Sequence, residues 1–325
     1  MKLRFLIIFF IILLGIFFIC QGIYLPKDLA FTENKLFSIE RGQNLFKIAE
    51  NLEKEDLIKN KFLFDFYVSI TGTQRKLQAG NYLFNPSMSI TAIAKKIISG
   101  EVAKIEVTIP EGFTIKQIEE RLNLKLPETD LEGFLFPDTY QFSYGASAEE
   151  VVRKMLDNFD KKLAPYQNEI SGAGLTLFDV ITMASLLEKE VRTKEEKEIV
   201  SGIFWKRIKE GRSLDSCATI AYILRREDWT FEEDKSSSLP RAGAWGFEEM
   251  RKEIAKGKEI DSPYNTYKYL GLPKGPICNP GLESIIAAVY PKDSEYWYYF
   301  STPEGETIFS KTLEEHNIAQ AKYLK

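Results

Sequence analysis

Three hundred and twenty-five residues, 44% apolar and 28% charged, suffice for one or two packed domains and exclude a disordered, fibrous or disulfide-dense chain. The net charge of −4 is spread along the chain with both signs mixed, so nucleic acid is not an expected partner, because phosphate binding needs clustered Lys and Arg. Cys20, Cys217 and Cys278 form no C-x-x-C pair and His316 is the only histidine, so neither a Ser-His-Asp site, nor a metal site, nor a cofactor is expected.

The first element is a concentrated apolar run. Phe5 to Cys20 carries no polar side chain, and extension to Leu25 gives the length a helix needs to cross a bilayer. There is no small-residue cleavage site near Cys20, which favours an uncleaved anchor over a signal peptide. Lys2 and Arg4 precede the run, so the expected topology is single-pass in the cytoplasmic membrane, with the N-terminus inside and the chain from about Pro26 outside.

Residues 1–25 thus read as tip and anchor, and 26–35 as a linker. Over 36–103 the pattern predicts a strand at Phe37-Ser38-Ile39, a helix through Leu45, Ile48, Ala49 and Leu52, an apolar stretch from Leu57 to Ile70, and a strand at Tyr82-Leu83-Phe84. A helix from Ser89, as N-cap, to Gly100, as stop, closes this small α+β module. Residues 104–325 read as a second α+β domain. Lys104 to Ile109 alternates as a strand, and Ile115, Ile118 and Leu122 mark a helix. Leu175 to Gly211 holds two helices, the first ending near Val191. The charge run Lys194 to Glu198 on the second reads as a solvated face, and Asp228 to Ile260 as a surface excursion.

Glu188 and Glu190 end the first of those helices. At about 100° per residue, Val180, Met183, Leu186 and Leu187 form an apolar arc from which Glu190 projects, whereas Glu188 points outside it, nearer Ile181. A carboxyl held against apolar neighbours stays protonated more readily and can serve as a general acid. A helix that frays before Glu190 and releases it to water fits the pattern equally well.

The stretch Thr182-Met183-Ala184-Ser185-Leu186-Leu187-Glu188-Lys189-Glu190 resembles the signature of the YceG-like family of endolytic murein transglycosylases. Further similar elements follow in the family's order. They are Leu131-Glu132-Gly133-Phe134-Leu135-Phe136-Pro137-Asp138-Thr139-Tyr140, Ser262-Pro263-Tyr264-Asn265-Thr266-Tyr267, the Gly271 to Gly281 loop with Asn279-Pro280-Gly281, and Phe309-Ser310 with Glu315-His316-Asn317. The resemblance implies a LysM-like module at 36–103 and a catalytic domain at 104–325. It also implies lytic cleavage of the β-1,4 bond between N-acetylmuramic acid and N-acetylglucosamine in nascent peptidoglycan strands near the membrane, leaving 1,6-anhydro ends. Peptidoglycan synthases are candidate partners.

The glutamate implied to be catalytic is Glu190. Glu132, Asp138 and Glu188 are further carboxylates for sugar hydroxyls, Tyr140, Tyr264 and Tyr267 can stack on sugar rings, and Asn265, Asn279, His316 and Asn317 can bond acetamido groups, although a turn, core or loop-fixing role suits these residues as well. In Leu214-Asp215-Ser216-Cys217-Ala218-Thr219, Ser216 and Thr219 are counted with the site, and Cys217 stands where many members carry aspartate. If this segment and the Gly271 to Gly281 loop line one cleft, Cys217 and Cys278 can form a disulfide; two free thiols are the alternative. The rival functions are a muramidase-type hydrolase, in which Glu190 works with Glu188, Glu132 or Asp138, and a non-catalytic glycan-binding scaffold.

Overall fold

The computed structural model describes residues 2–172, 174–226, 247–302 and 304–324. It divides into two compact units, Met1–Glu106 with Gln141–Ala146, and Val107–Tyr140 with Ser147–Lys325.

The first unit begins with α1 (Lys2–Tyr24), whose residues are all exposed from Leu3 to Gln21. Its 22-residue stretch Leu3–Tyr24 is long and apolar enough to cross a membrane. The chain then runs through β1 (Lys35–Ile39), α2 (Leu45–Lys54), α3 (Lys61–Ile70), β2 (Gly80–Phe84) and α4 (Ile90–Ser99). Strands β1 and β2 pair antiparallel, with Phe37 opposite Tyr82. Phe37 and Ile39 are buried while Leu36 and Ser38 are exposed, as an alternating strand requires. The Leu57 to Ile70 stretch is not one element: Leu57 and Ile58 pack in the turn before α3, which starts after the Asn60 cap. Ser89 accepts the Ala92 N–H as N-cap of α4, and Gly100 ends it at φ 67°.

The second unit is mainly helical. Strand β3 (Lys104–Thr108) pairs with β4 (Thr139–Ser143). Helix α5 (Ile115–Leu122) lies between them in sequence, and α6 (Ala148–Leu163), α7 (Gln167–Gly172), α8 (Leu177–Glu190), α9 (Lys194–Lys209), α10 (Cys217–Arg226), α11 (Phe247–Gly257) and α12 (Leu282–Val289) follow. The chain ends with the antiparallel pair β5 (Tyr298–Ser301) and β6 (Thr307–Ser310), and α13 (Leu313–Tyr323). Much of the expected surface excursion, residues 228–246, lies outside the described residues; its later part is α11, and Gly257 at the end of that helix packs on Ile220 of α10.

Helix α8 is the centre of this unit's core. Val180 to Leu187 are buried without interruption, polar Thr182 and Ser185 included. Helices α9, α10 and α12 pack on different sides of it. A helix enclosed in this way has no solvent face, which changes the wheel reading of its two glutamates. The adjoining contact between α9 and the Lys292 backbone is equally close: a Cβ on Gly202 would stand 2.1 Å from the Lys292 carbonyl oxygen. Gly202→Ala is therefore expected to destabilise the fold by about 1–3 kcal/mol, measured by thermal unfolding, because the obstacle is backbone and yields poorly.

Candidate active site

Glu190 is the last residue of α8, and the chain turns sharply after it, with Val191 extended at φ −141° and ψ 162°. Its half-buried side chain meets donors rather than an apolar wall. The Ser216 hydroxyl donates to Oε1, and the Ala218 backbone N–H donates to the same atom at 3.2 Å. The Tyr299 phenol, on β5, lies close enough for the Glu190 charge to act on it. Ser216 immediately precedes α10 and Ala218 lies in its first turn, so the carboxylate occupies the N-terminal end of a ten-residue helix, where free N–H groups and the helix dipole favour negative charge. Of the two settings left open for this carboxyl, an apolar wall or open water, it has neither: it lies in a polar cradle. Burial first, and then the nearby Glu190 charge, push the Tyr299 phenol well above its ordinary range, so Tyr299 stays protonated.

This cradle is itself tied down. Thr266 Oγ1 accepts the Ser216 N–H at 3.1 Å and lies 3.0 Å from Thr219 Oγ1, while Thr219 donates to the Ser216 carbonyl at 2.8 Å. Arg207, buried on α9, donates to the Leu214 carbonyl at 2.8 Å and to the Trp297 carbonyl at 2.7 Å. One guanidinium therefore ties the segment bearing Ser216 to the one bearing Tyr299.

Glu188 faces elsewhere. Its Oε2 accepts from the Gly281 N–H at 3.0 Å, the Ser284 hydroxyl at 2.6 Å and the Lys197 ammonium at 3.4 Å. The side chains of Lys197 and Glu188 are only 4% and 10% exposed, so the charge run on α9 is not wholly solvated: Lys197 forms a buried ion pair. The wheel, which put Glu188 outside the apolar arc, missed this because the enclosed helix offers partners on every side. Glu188 fixes the start of α12 and the end of the Gly-Pro loop.

Several other residues singled out from the sequence are placed as supports. Asn279 is fully buried: its Oδ1 accepts the Leu135 N–H, and its Nδ2 donates to the Phe113 carbonyl and to Glu132. Glu132 also accepts the Ile115 N–H at the start of α5. Asn265, likewise buried, donates to the Lys258 and Ile260 carbonyls and accepts the Tyr267 N–H. Tyr140 is buried, donates to the Phe136 carbonyl and accepts from Asn158; burial pushes its phenol up to about 12. Asn265, Asn279, Thr219 and Tyr140 are accordingly corrected from direct sugar contacts to supports of the loops, since a side chain without exposed surface cannot reach a polymer. Asp138 accepts from the Thr139 N–H, Asn158 and Lys162 beside its turn.

Tyr267 does come to the site. Its hydroxyl lies 3.1 Å from Cys217 Sγ, and the Glu190 charge acts on it. Tyr264 packs against Tyr222 and lines a shallow cavity with Ile223, Ile260 and Ser262, which does not include Glu190. His316 sits between the Tyr298 and Phe300 rings and beside Gln320, and Asn317 is exposed on the same helix, α13. Cys217 and Cys278 are not joined as a disulfide, which leaves the two-thiol alternative: Cys278 is buried with its Sγ 3.4 Å from the Ser185 carbonyl, while Cys217 is exposed beside Tyr267. Among the described residues no group of acidic, His or Cys side chains is arranged to hold a metal ion.

Sequence reading overlooked Tyr299 and Arg207. Nothing in the sequence sets Tyr299 apart from its aromatic neighbours between Tyr296 and Phe300, or Arg207 from the other basic residues near the end of α9. Tyr299→Phe is expected to retain the fold and lower turnover about 10-fold in a glycan-cleavage assay, because it removes a hydroxyl from beside the reacting carboxylate.

A carboxylate cradled at a helix N-terminus by a hydroxyl and a backbone N–H, with a partly buried phenol nearby, defines a candidate acid–base centre on a mainly helical domain. The YceG-like family model matches residues 37–322, and the chain belongs to that family. It is 30% identical to the endolytic murein transglycosylase of Bacillus subtilis (strain 168), over 92% of this chain and 86% of that protein. It is 27% identical to the protein of the same name from Streptococcus pneumoniae (strain D39), over 91% of this chain but only 60% of that longer protein. A crystal structure of a YceG-like protein from Listeria monocytogenes superposes with a TM-score of 0.55 at 30% identity, covering 88% of this chain and 99% of that one.

Proposed function

We propose that this protein is a membrane-anchored endolytic transglycosylase that cuts peptidoglycan glycan strands, with Glu190 as its acid and base. The observation that carries this reading is the convergence of the Ser216 hydroxyl and the Ala218 N–H on Glu190, with the Tyr299 phenol near its charge, while the neighbouring Glu188 is consumed by internal partners. The relatives' name, endolytic murein transglycosylase, supports the substrate class.

Glu190 in its acid form donates a proton to the glycosidic oxygen between N-acetylmuramic acid and N-acetylglucosamine as that bond breaks. The carboxylate so formed is stabilised by its cradle. It then takes the proton of the muramic C6 hydroxyl as that oxygen closes on the anomeric carbon, giving a 1,6-anhydro end and leaving Glu190 protonated for the next cycle. The cradle suits the charged middle state of this cycle. A second carboxylate for activating water is not required, which agrees with the occupied state of Glu188. The module containing β1, α2, α3 and β2 is LysM-like in this reading, and α1 is a single-pass anchor with its N-terminus in the cytoplasm, which limits cleavage to strands close to the membrane.

Digestion of uncrosslinked glycan strands by the full chain, with products weighed by mass spectrometry, tests the reaction. Lytic cleavage gives fragments whose masses sum to that of the parent strand. Fragments that together weigh one water more reveal a hydrolase, and intact strands reveal a binding protein.

A further inference from the structure

The unit that follows the anchor carries an unpartnered apolar face. Phe62, Phe66 and Ile70, spaced four residues apart on α3, are 64%, 46% and 69% exposed, and Phe46 on α2 is 52% exposed beside them. The Lys61 ammonium lies 5.1 Å from the Phe46 ring centroid and 5.6 Å from that of Phe62, so a cation rims the patch. Large apolar side chains gathered in this way mark a surface that something covers.

Their position relative to α1 identifies the occupant. Helix α3 packs on α1, and the approach at Gly22 is tight, for a Cβ there would stand 2.4 Å from Leu63 Cδ1. Ile23, the next residue of α1, is 5% exposed and belongs to this unit's core. The anchor's last turn is therefore clamped into the folded unit without a flexible joint. Gly22 is two residues from Tyr24, the end of the apolar span, which places the contact about 3 Å inside that end at 1.5 Å rise per residue. At about 100° per residue around α3, Ile70 is only about 20° from Leu63, and Phe66 and Phe62 follow on the same side. The exposed arc thus adjoins the face that grips the anchor, at the level where the span ends.

We propose that Phe62, Phe66 and Ile70, with Phe46 beside them, insert into the interfacial layer of the same phospholipid bilayer that α1 spans, so that α3 lies against the outer leaflet and fixes the unit's orientation to the membrane. This rests on the anchor reading of α1. An amphipathic face buried to the headgroup and acyl boundary is the usual mode of such contact, and Lys61 can extend its ammonium to the headgroups while its stem stays among the rings. A unit held by one helix alone can swing; a second contact beside the helix removes that freedom.

Full-length chain is reconstituted into vesicles of phosphatidylcholine, plain or brominated near the headgroup end of the acyl chain, and Phe66→Trp, Ile70→Trp and Leu13→Trp are each compared with the parent. The added emission at 66 and 70 is expected to be blue-shifted and to lose about half its intensity in the brominated vesicles, with emission at 13 also quenched. Quenching at 13 with none at 66 or 70 overturns the proposal and leaves the anchor intact. An absence of quenching at all three positions overturns the anchor reading and the proposal with it. Unquenched emission at 66 that shifts only on addition of glycan strands also overturns it, since the face then binds sugar.

Discussion

Glu190→Gln is expected to abolish cleavage of uncrosslinked glycan strands, with turnover falling about 10²- to 10⁴-fold or more, the range for loss of a positioned proton donor and acceptor. The substitution is nearly isosteric. A glutamine oxygen still accepts from Ser216 and Ala218, so the unfolding temperature should stay close to that of the parent. Glu188→Gln separates the two roles. It weakens a structural junction, because its carboxylate holds Lys197, Ser284 and the Gly281 N–H, so its activity loss should accompany a lower unfolding temperature. Full activity of Glu190→Gln sinks the mechanism, and activity loss at unchanged stability in Glu188→Gln alone moves the acid two residues back.

The second large effect concerns stability. Lys197→Met is expected to cost about 3–5 kcal/mol, because it leaves the Glu188 charge in a site only 10% exposed without its cation. Pairing it with Glu188→Gln should recover part of that loss, since the neutral amide still accepts from Gly281 and Ser284 and no unpaired charge remains. Denaturant unfolding of the two variants in detergent measures the difference. Equal stability of Lys197→Met and the parent would show that water reaches the pair and that the junction is not dry.

Most local elements were legible in the sequence because short-range periodicity and punctuation specify them. Alternation of Phe37 and Ile39 marked β1, Ser89 and Gly100 bounded α4, and the unbroken apolar run marked α1. The site was legible in a different measure. Glu190 was reached by wheel geometry and by resemblance, but the reason offered for it, an apolar arc, does not describe its surroundings. A wheel assumes one buried and one wet face. Helix α8 has no wet face between Val180 and Leu187, so angular position cannot rank the exposure of the glutamates at its end. The same limit turned Lys197 from an apparent surface charge into a buried partner.

Asn265 and Asn279 illustrate a related point. Their residue type suits acetamido recognition, yet each is used up by backbone groups distant in the chain, including the Leu135 N–H and Phe113 carbonyl for Asn279. Buried amides must find partners, and irregular loops rich in Gly and Pro leave backbone groups that need them. Ordered motifs in a sequence therefore mix residues that touch substrate with residues that hold the loops in place.

By itself, the sequence determined the anchor-length helix, the elements from β1 to α5, the helix pair α8 and α9, the family, and the glutamate pair in which a catalytic carboxylate is sought, because these depend on composition and on neighbours a few positions apart. Tertiary structure alone decided what each glutamate meets. Glu190 reaches Ser216 and Ala218, with the Tyr299 phenol near its charge, and Glu188 reaches Lys197, Gly281 and Ser284, since hydrogen bonds between segments far apart in the chain depend on how α8, α9, α10 and α12 close around one core.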